Sequence, residues 1–394
     1  MKKKSILFVV DEKKMGGVSI LLEDMLKAID LTNKQIDILV LHNSGNRFVD
    51  IPKNINIIYG TPFFRTVDLT IKEVLESRNL KLILNKIRLV LYLKTGLIKR
   101  KIIKERNKFL HKKYDIEIAF KDGFTAVFTA VGNSNKKIHW LQYNYKQGNP
   151  NKKYDRLFKE ILPRFDNIVS VSKGVMDDFN EIYHLNEKTQ VINNLVNVQR
   201  IKSKSLEKSN EILDKSKLNI ISVGRLHYVK GYNRLIDAVN MLNHDCLLNN
   251  VIFRIYGSGP EEDKLRGMIK SYGLENIIKL MGEVDNPYKE IKNSDLFVTS
   301  SLFESFGLVI VESLILGVPV ITTKLSASDE LVDNGVTGLI VDNSTDGLYN
   351  GLKEIINSKD RIKKYKKNLI NYNYNIKNKV IINKINTLLE EEDI

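Results

Sequence analysis

The chain has 394 residues, 43% of them hydrophobic and 28% charged, with a formal net charge of +15. That balance fits a globular protein with room for two cores and argues against a disordered tail or a membrane-spanning bundle. One cysteine, Cys246, excludes an internal disulfide and a cysteine-built metal cage.

Lys2-Lys3-Lys4 followed by Ser5-Ile6-Leu7-Phe8-Val9-Val10 imitates the charged start of a secretory leader. The apolar run is too short for one, and Asp11-Glu12-Lys13-Lys14 interrupts it, so it reads as a first buried strand. No uncharged apolar stretch reaches about 18 residues, so no transmembrane helix is expected. The expected location is the cytoplasm. Met15-Gly16-Gly17-Val18 reads as a loop opening a helix marked by Leu21, Leu22, Met25, Leu26 and Ile29. Gly16 and Gly17 would let the backbone approach an anion at that helix N-terminus, although a purely local turn also explains them. No Gly-Lys-Ser/Thr follows, so the pair is not a P-loop. Residues 35–42 read as a second strand.

Residues 65–113 carry fifteen Lys and Arg against four acids, which is most of the net charge in one eighth of the chain. Leu80, Ile83, Leu84, Ile87 and Leu91 recur at helical spacing, with Arg78, Lys81, Asn85 and Arg88 on another face. Such a segment suits an interfacial helix on anionic lipid, with Arg78, Lys81, Arg88, Lys99, Arg100 and Lys101 as the contacts. A core-packed helix with a solvated basic face fits the same spacing. No aromatic-interleaved basic motif accompanies the charge, so nucleic acid is not the expected partner.

Further strands are expected at 115–120, 137–141 and 167–172, separated by helical patterns, which argues for a parallel doubly wound sheet. A charged, low-aromatic tract over 198–217 reads as the link between two domains. A second alternation follows, with strands near 218–223, 251–256, 277–281, 295–300 and 318–322, and the tail from Lys364 is helical in pattern.

The second half carries the chemistry. Gly224-Arg225-Leu226 closes a buried strand, and Lys230-Gly231 follows five residues after the Arg. Two cations at a strand's C-terminal end fit the crevice of an open α/β sheet and could neutralise a diphosphate. Glu304-Ser305-Phe306-Gly307-Leu308 reads as a loop entering a helix, with Glu312 about two turns along. Exposed N–H groups there could hold phosphate or sugar hydroxyls. Taken alone, the segment also fits an amphipathic helix with two solvated acids. Gly257-Ser258-Gly259-Pro260 mimics a dinucleotide fingerprint, but Glu262 stands at the third glycine position, so NAD binding is not supported.

This ordered set, with Gly317-Val318-Pro319 and Gly335-Val336-Thr337-Gly338 after it, resembles the retaining glycosyltransferases of GT-B fold. Within them it is most similar to the bacterial group with two glutamates eight positions apart, the family 4-like or group 1 glycosyl transferases. The resemblance covers roughly residues 218–342. It implies two Rossmann-like α/β domains: 1–197 on the acceptor side, a linker over 198–217, and 218–370 binding a nucleotide sugar. A helix over 371–394 would return to the first domain.

By the same resemblance Arg225 and Lys230 hold the donor diphosphate, with Gly16 and Gly17 facing it. Glu312, Val284 and Gly257 contact the nucleoside. Glu304, Phe306, Gly307, Leu308 and Gln142 contact the donor sugar, Glu304 being the catalytic residue. No Asp-x-Asp motif occurs, so no metal is expected and no cofactor beyond the nucleotide sugar, UDP-linked, as co-substrate. Similar proteins often place a histidine where Gln142 stands; His139 falls three residues earlier. The implied activity is transfer of a hexose or N-acetylhexosamine, with retention, to an acceptor hydroxyl; the basic segment 65–113 points to a glycan or glycolipid acceptor at an anionic membrane. A non-catalytic homologue that uses only its basic segment is the alternative.

Overall fold

The computed structural model describes residues 3–12, 17–42, 51–145, 154–209 and 213–391. Two compact units divide the chain: Met1–Leu195 with Val380–Ile394, and Val196–Lys379.

The first unit is built on seven strands: β1 (Lys4–Glu12), β2 (Lys34–His42), β3 (Asn56–Tyr59), β4 (Ile116–Ala119), β5 (Lys136–Leu141), β6 (Asn167–Ser170) and β7 (Thr189–Val191). All are parallel, in the order β3-β2-β1-β4-β5-β6-β7. Helices cover both faces, which is why the central strands read as unbroken apolar runs. Leu7, Val9, Leu39, Ala119, Leu141 and Ile168 pack with Phe64, Phe128 and Phe179 in one core. The expected strands are all present. The edge strands β3 and β7 were not expected, and neither holds a fully buried residue. An edge strand needs no apolar run, so its sequence carries no such mark.

The second unit holds β8 (Leu218–Val223), β9 (Val251–Tyr256), β10 (Ile278–Gly282), β11 (Leu296–Thr299), β12 (Val320–Thr323) and β13 (Gly338–Val341). Their order is β10-β9-β8-β11-β12-β13, all parallel. Strand order reverses between β8 and β11, and ligands of open α/β sheets bind beyond the carboxyl ends at such a point. The two sheets are the doubly wound pair that the sequence implies.

One expected boundary differs. Residues 198–204, read as linker, form the helix Val198–Lys204, capped by the Asn197 side chain, which accepts from the Arg200 N–H at 2.9 Å. Val198 and Ile201, three apart, give it a buried face inside the second unit despite its charged composition. Asn286 donates to the Lys204 carbonyl and the Glu207 carboxylate, each at 2.8 Å, extending the attachment. At the other end the helix Tyr374–Glu390 starts in the second unit and returns to the first. There Ile381, Ile385, Leu388 and Leu389 are buried. Lys4 donates to the Glu390 carbonyl at 3.0 Å, and Lys34 pairs with the Glu390 carboxylate at 3.0 Å.

Candidate functional site

The candidate site lies at the carboxyl ends of β8, β9 and β11. Gly224 follows β8, and its N–H donates to the Tyr256 carbonyl at 2.9 Å. Leu226 donates to the Ser258 carbonyl at 2.8 Å and accepts from the Glu261 N–H at 3.0 Å. Gly257 sits at φ +143°, and a Cβ there would lie 2.0 Å from the Gly224 oxygen. At Gly259 a Cβ would lie 2.4 Å from the Leu226 oxygen. The glycines are therefore needed for two loops to touch backbone to backbone. Val223, Gly224, Arg225, Tyr256, Gly257, Ser258, Gly259, Glu283 and Val284 line a cavity of about 400 Å³ between them. Arg225 is exposed at its edge and has no charged partner among the described residues.

The loop after β8 is also zipped to the loop after β11. Leu302 donates to the Val229 carbonyl at 2.8 Å, and Ser300 Oγ to the Lys230 carbonyl at 2.8 Å. Gly231, at φ +63°, packs so closely that a Cβ would stand 2.2 Å from the Ser300 oxygen. This zipper brings the Lys230 ammonium onto Glu304 Oε1, with the side chains 21% and 18% exposed. Ser301 Oγ donates to the same oxygen at 2.9 Å. The Lys230 Cε also lies 3.4 Å from where a Gly224 Cβ would be, so the ion pair adjoins the cavity wall.

Phe306 and Gly307 are buried, and Gly307 at φ +91° precedes the helix Leu308–Ile315. The first N–H groups of that helix have no intrahelical acceptor. Glu312 stands one turn into it rather than two, because the helix begins only at Leu308. Tyr288 donates to Glu312 Oε1 at 3.2 Å. Burial, then the Glu312 charge, pushes the Tyr288 hydroxyl far up, so it remains a donor.

Arg225, Lys230, Gly257, Val284, Glu304, Phe306, Gly307, Leu308 and Glu312 thus share the second unit. Gln142 and Gly17 belong to the first, and Gly16 lies outside the described residues. At the end of β5 the Gln142 N–H donates to Asp122 Oδ2 at 2.8 Å, and the Tyr145 hydroxyl donates to Asp122 Oδ1. Burial pushes the Asp122 carboxyl up to about 6. His139 is buried against Phe165, its Nε2 3.8 Å from Asp122, and burial pushes it down to about 4. It is a neutral core residue at pH 7.

Sequence reasoning passed over Asp122. The available signal was an Asp-Gly pair, Asp122-Gly123, in the loop three residues after a buried strand ends at Ala119. Tyr288 and Ser301 carried no comparable mark.

Among the six basic residues expected at a membrane, Arg78, Lys81, Arg88 and Arg100 are exposed. Two are corrected. Lys99 pairs with Glu160, and Lys101 bonds Glu105 at 2.6 Å while lying 5.0 Å over the Phe63 ring. Burial raises the Glu105 carboxyl, but hydrogen bonds from Lys101, Lys108 and Thr61 outweigh it and hold it at about 2. A buried carboxylate kept ionised in this way binds its lysines inward.

A second cavity of about 400 Å³ in the first unit is edged by Lys94, Lys99 and Arg156, but Asp155 and Glu160 offset them. Among the described residues no group of three or more His, Cys, Asp or Glu could hold a metal ion, and no helix is long and apolar enough to cross a membrane.

Residues 203–375 match the family model described as Glycosyl transferases group 1. The curated N-acetylgalactosamine-N,N'-diacetylbacillosaminyl-diphospho-undecaprenol 4-alpha-N-acetylgalactosaminyltransferase of Campylobacter jejuni is 32% identical over 228 residues, 57% of this chain and 60% of that protein. This chain spans 49% and 59% of two further curated relatives. Anabaena HepE, solved with UDP and glucose, superposes with a TM-score of 0.68 at 19% identity, over 98% of this chain and 99% of that one. The lipopolysaccharide outer core galactosyltransferase WaaB, in its apo form, gives 0.61 at 14% identity over 97% and 99%. By this likeness the chain has the GT-B fold, and most of its second unit matches the glycosyl transferases group 1 family.

Proposed function

We propose that the protein is a retaining glycosyltransferase. It moves a hexose or N-acetylhexosamine from a nucleotide diphosphate sugar, UDP-linked, to a hydroxyl of a lipid-linked or surface-polysaccharide acceptor. The observation that carries this reading is the Lys230–Glu304 ion pair, set between the loops after β8 and β11 where strand order reverses. Beside it a glycine-walled cavity with the exposed Arg225 is shaped for a close-fitting anionic ligand.

In this reading Arg225 and Lys230 neutralise the diphosphate, assisted by the N–H groups of Phe306, Gly307 and Leu308. Glu312, steadied by Tyr288, accepts the ribose hydroxyls, while Val284 and Gly257 wall the nucleoside. The bond from C1 to the diphosphate breaks with its electron pair leaving on phosphate oxygen. The acceptor oxygen bonds C1 on the same face and gives its proton to that departing phosphate. Negative charge on the diphosphate is then greatest, and fixed cations and N–H groups stabilise it most. Glu304 orients the sugar and balances positive charge on its ring. The two cations do the work of a divalent ion, so turnover is expected in EDTA.

Likeness supports the substrates. The Campylobacter relative is named for an acceptor carried on diphospho-undecaprenol, and HepE was solved with UDP and glucose. Such chemistry belongs at the cytoplasmic face of the cell membrane.

The test is release of nucleoside diphosphate from a panel of UDP-, GDP- and ADP-sugars, in EDTA, by wild type and Glu304→Ala. Turnover of one donor that survives EDTA and is lost in the variant supports the proposal. Absence of turnover and of any nucleotide binding overturns it.

A further inference from the structure

The helix Leu80–Lys94 is apolar on two opposite sides. Leu82 and Leu89, seven residues apart, are buried and fix it to the first unit. Leu80, Leu84, Ile87 and Leu91 recur every three or four residues and so share one face. All four are more than half exposed, Leu80 most of all at 76%. The preceding helix Ile71–Glu76 repeats the arrangement, with Val74 buried and Ile71 and Leu75 more than half exposed. Six large apolar side chains on two neighbouring helices therefore face solvent. Soluble surfaces rarely leave such a patch uncovered.

The surrounding charge says what covers it. Residues 77–104 contain nine Lys and Arg and no acid. Lys86 turns inward to the Thr66 carbonyl at 2.8 Å, and Lys99 and Lys101 are held by Glu160 and Glu105. Arg78, Lys81, Arg88 and Lys94 remain exposed along the stripe. A second copy of the chain would set this cationic face against itself and be repelled. An anionic bilayer offers both complements at once: acyl chains for the stripe, which runs about 16 Å from Leu80 to Leu91, and headgroups for the cations beside it.

We propose that the helices Ile71–Glu76 and Leu80–Lys94 dock the protein on an anionic lipid surface. Ile71, Leu75, Leu80, Leu84, Ile87 and Leu91 enter the headgroup boundary, and Arg78, Lys81, Arg88 and Lys94 engage lipid phosphates. The contact set differs from the one read in sequence: Lys99 and Lys101 are excluded, and the apolar stripe supplies the insertion that charge alone lacks. The docking surface is independent of the donor site. Nucleotide release by dispersed protein reports on one, and vesicle binding on the other.

Flotation of the full chain with phosphatidylcholine vesicles, with and without phosphatidylglycerol, tests this. Wild type is expected to float only with the anionic vesicles and to detach as salt rises. Leu84→Ser with Ile87→Ser, both exposed, is expected to bind about tenfold or more weakly with an unchanged thermal transition. Arg78→Glu with Arg88→Glu is expected to fail likewise. The proposal is overturned if wild type ignores anionic vesicles, or if the stripe variant floats as well as wild type. It is equally overturned if the stripe variant only converts a dimer into a monomer in light scattering while its vesicle binding is unchanged.

Discussion

Lys230 and Glu304 lie 74 residues apart in sequence and meet as an ion pair because the loops after β8 and β11 are laced together at Ser300 and Leu302. The lysine lies against Gly224 on one side and the glutamate on the other, so it spans the diphosphate and sugar ends of the proposed donor site.

Lys230→Ala is therefore expected to weaken UDP binding by about tenfold to a hundredfold, the size of a lost charge-assisted hydrogen bond. Glu304→Gln keeps the shape and removes the charge. It is expected to lower turnover by about a hundredfold while UDP affinity stays within a few fold. Isothermal titration of UDP beside steady-state nucleotide release separates the two. Equal losses of affinity in both variants would assign Glu304 to diphosphate positioning instead.

Gly257 and Gly267 make a matched pair. A Cβ on Gly257 collides with the Gly224 oxygen, whereas Gly267 is an exposed helical residue with nothing within 4 Å. Gly257→Ala is expected to cost about 1–3 kcal/mol and to widen the nucleoside cavity, lowering affinity. Gly267→Ala should stabilise by about 0.5–1 kcal/mol. Chemical denaturation of both variants checks this, and a harmless Gly257→Ala would show that the two loops can part.

Tyr288→Phe removes one hydrogen bond to Glu312 and leaves the ring in place. Its loss should weaken nucleoside binding by about 0.5–1.5 kcal/mol without moving the melting temperature greatly. Free uridine separates this effect from the diphosphate contacts. Unchanged uridine affinity would remove Tyr288 from the nucleoside pocket.

Asp122 and His139 titrate in opposition. The Asp122 carboxyl is raised to about 6 in the folded protein, so its contribution falls as pH rises from about 4 to 6. The His139 imidazole is lowered to about 4, so the unfolded chain gains a proton first, and its contribution falls as pH drops from about 6.5 to 4. The two slopes largely cancel between pH 4 and 6. Asp122→Asn should expose the histidine slope and lose stability in acid. His139→Gln should expose the aspartate slope and lose stability toward pH 6, each by about 2–3 kcal/mol across the window. Denaturant midpoints at a series of pH values read both slopes. Parallel curves for wild type and variants would show that neither group titrates there.

The central strands of both sheets were legible because burial on two faces demands apolar runs, as in Ile6–Val10 and Leu218–Val223. At the edges that demand lapses, and β3, β7 and β13 went unseen. The helix Val198–Lys204 was hidden because two buried residues suffice to seat so short a helix. In the candidate site, Arg225, Lys230 and Glu304 stand out in sequence by type and order. The pairing of Lys230 with Glu304 was not legible, since it depends on contact between loops far apart in sequence. The spacing of Leu80, Leu84, Ile87 and Leu91 was equally plain. Which side of that helix meets the core is decided by Leu82 and Leu89, which no periodicity argument on the stripe could reveal.

The return of the final helix bears on how the molecule is made. Lys4 is hydrogen-bonded to a carbonyl 386 residues later, so the first unit closes only when the last turns of the chain have emerged. The second unit, Val196–Lys379, is one continuous stretch and is complete earlier. Synthesis from the N-terminus usually lets the leading domain mature first. Here the first unit receives its last packed segment only after its neighbour has been synthesised. Contacts so distant along the chain also slow closure. An interrupted or truncated product would therefore carry a finished second unit beside a first unit still exposing the seat of Ile381, Ile385 and Leu388.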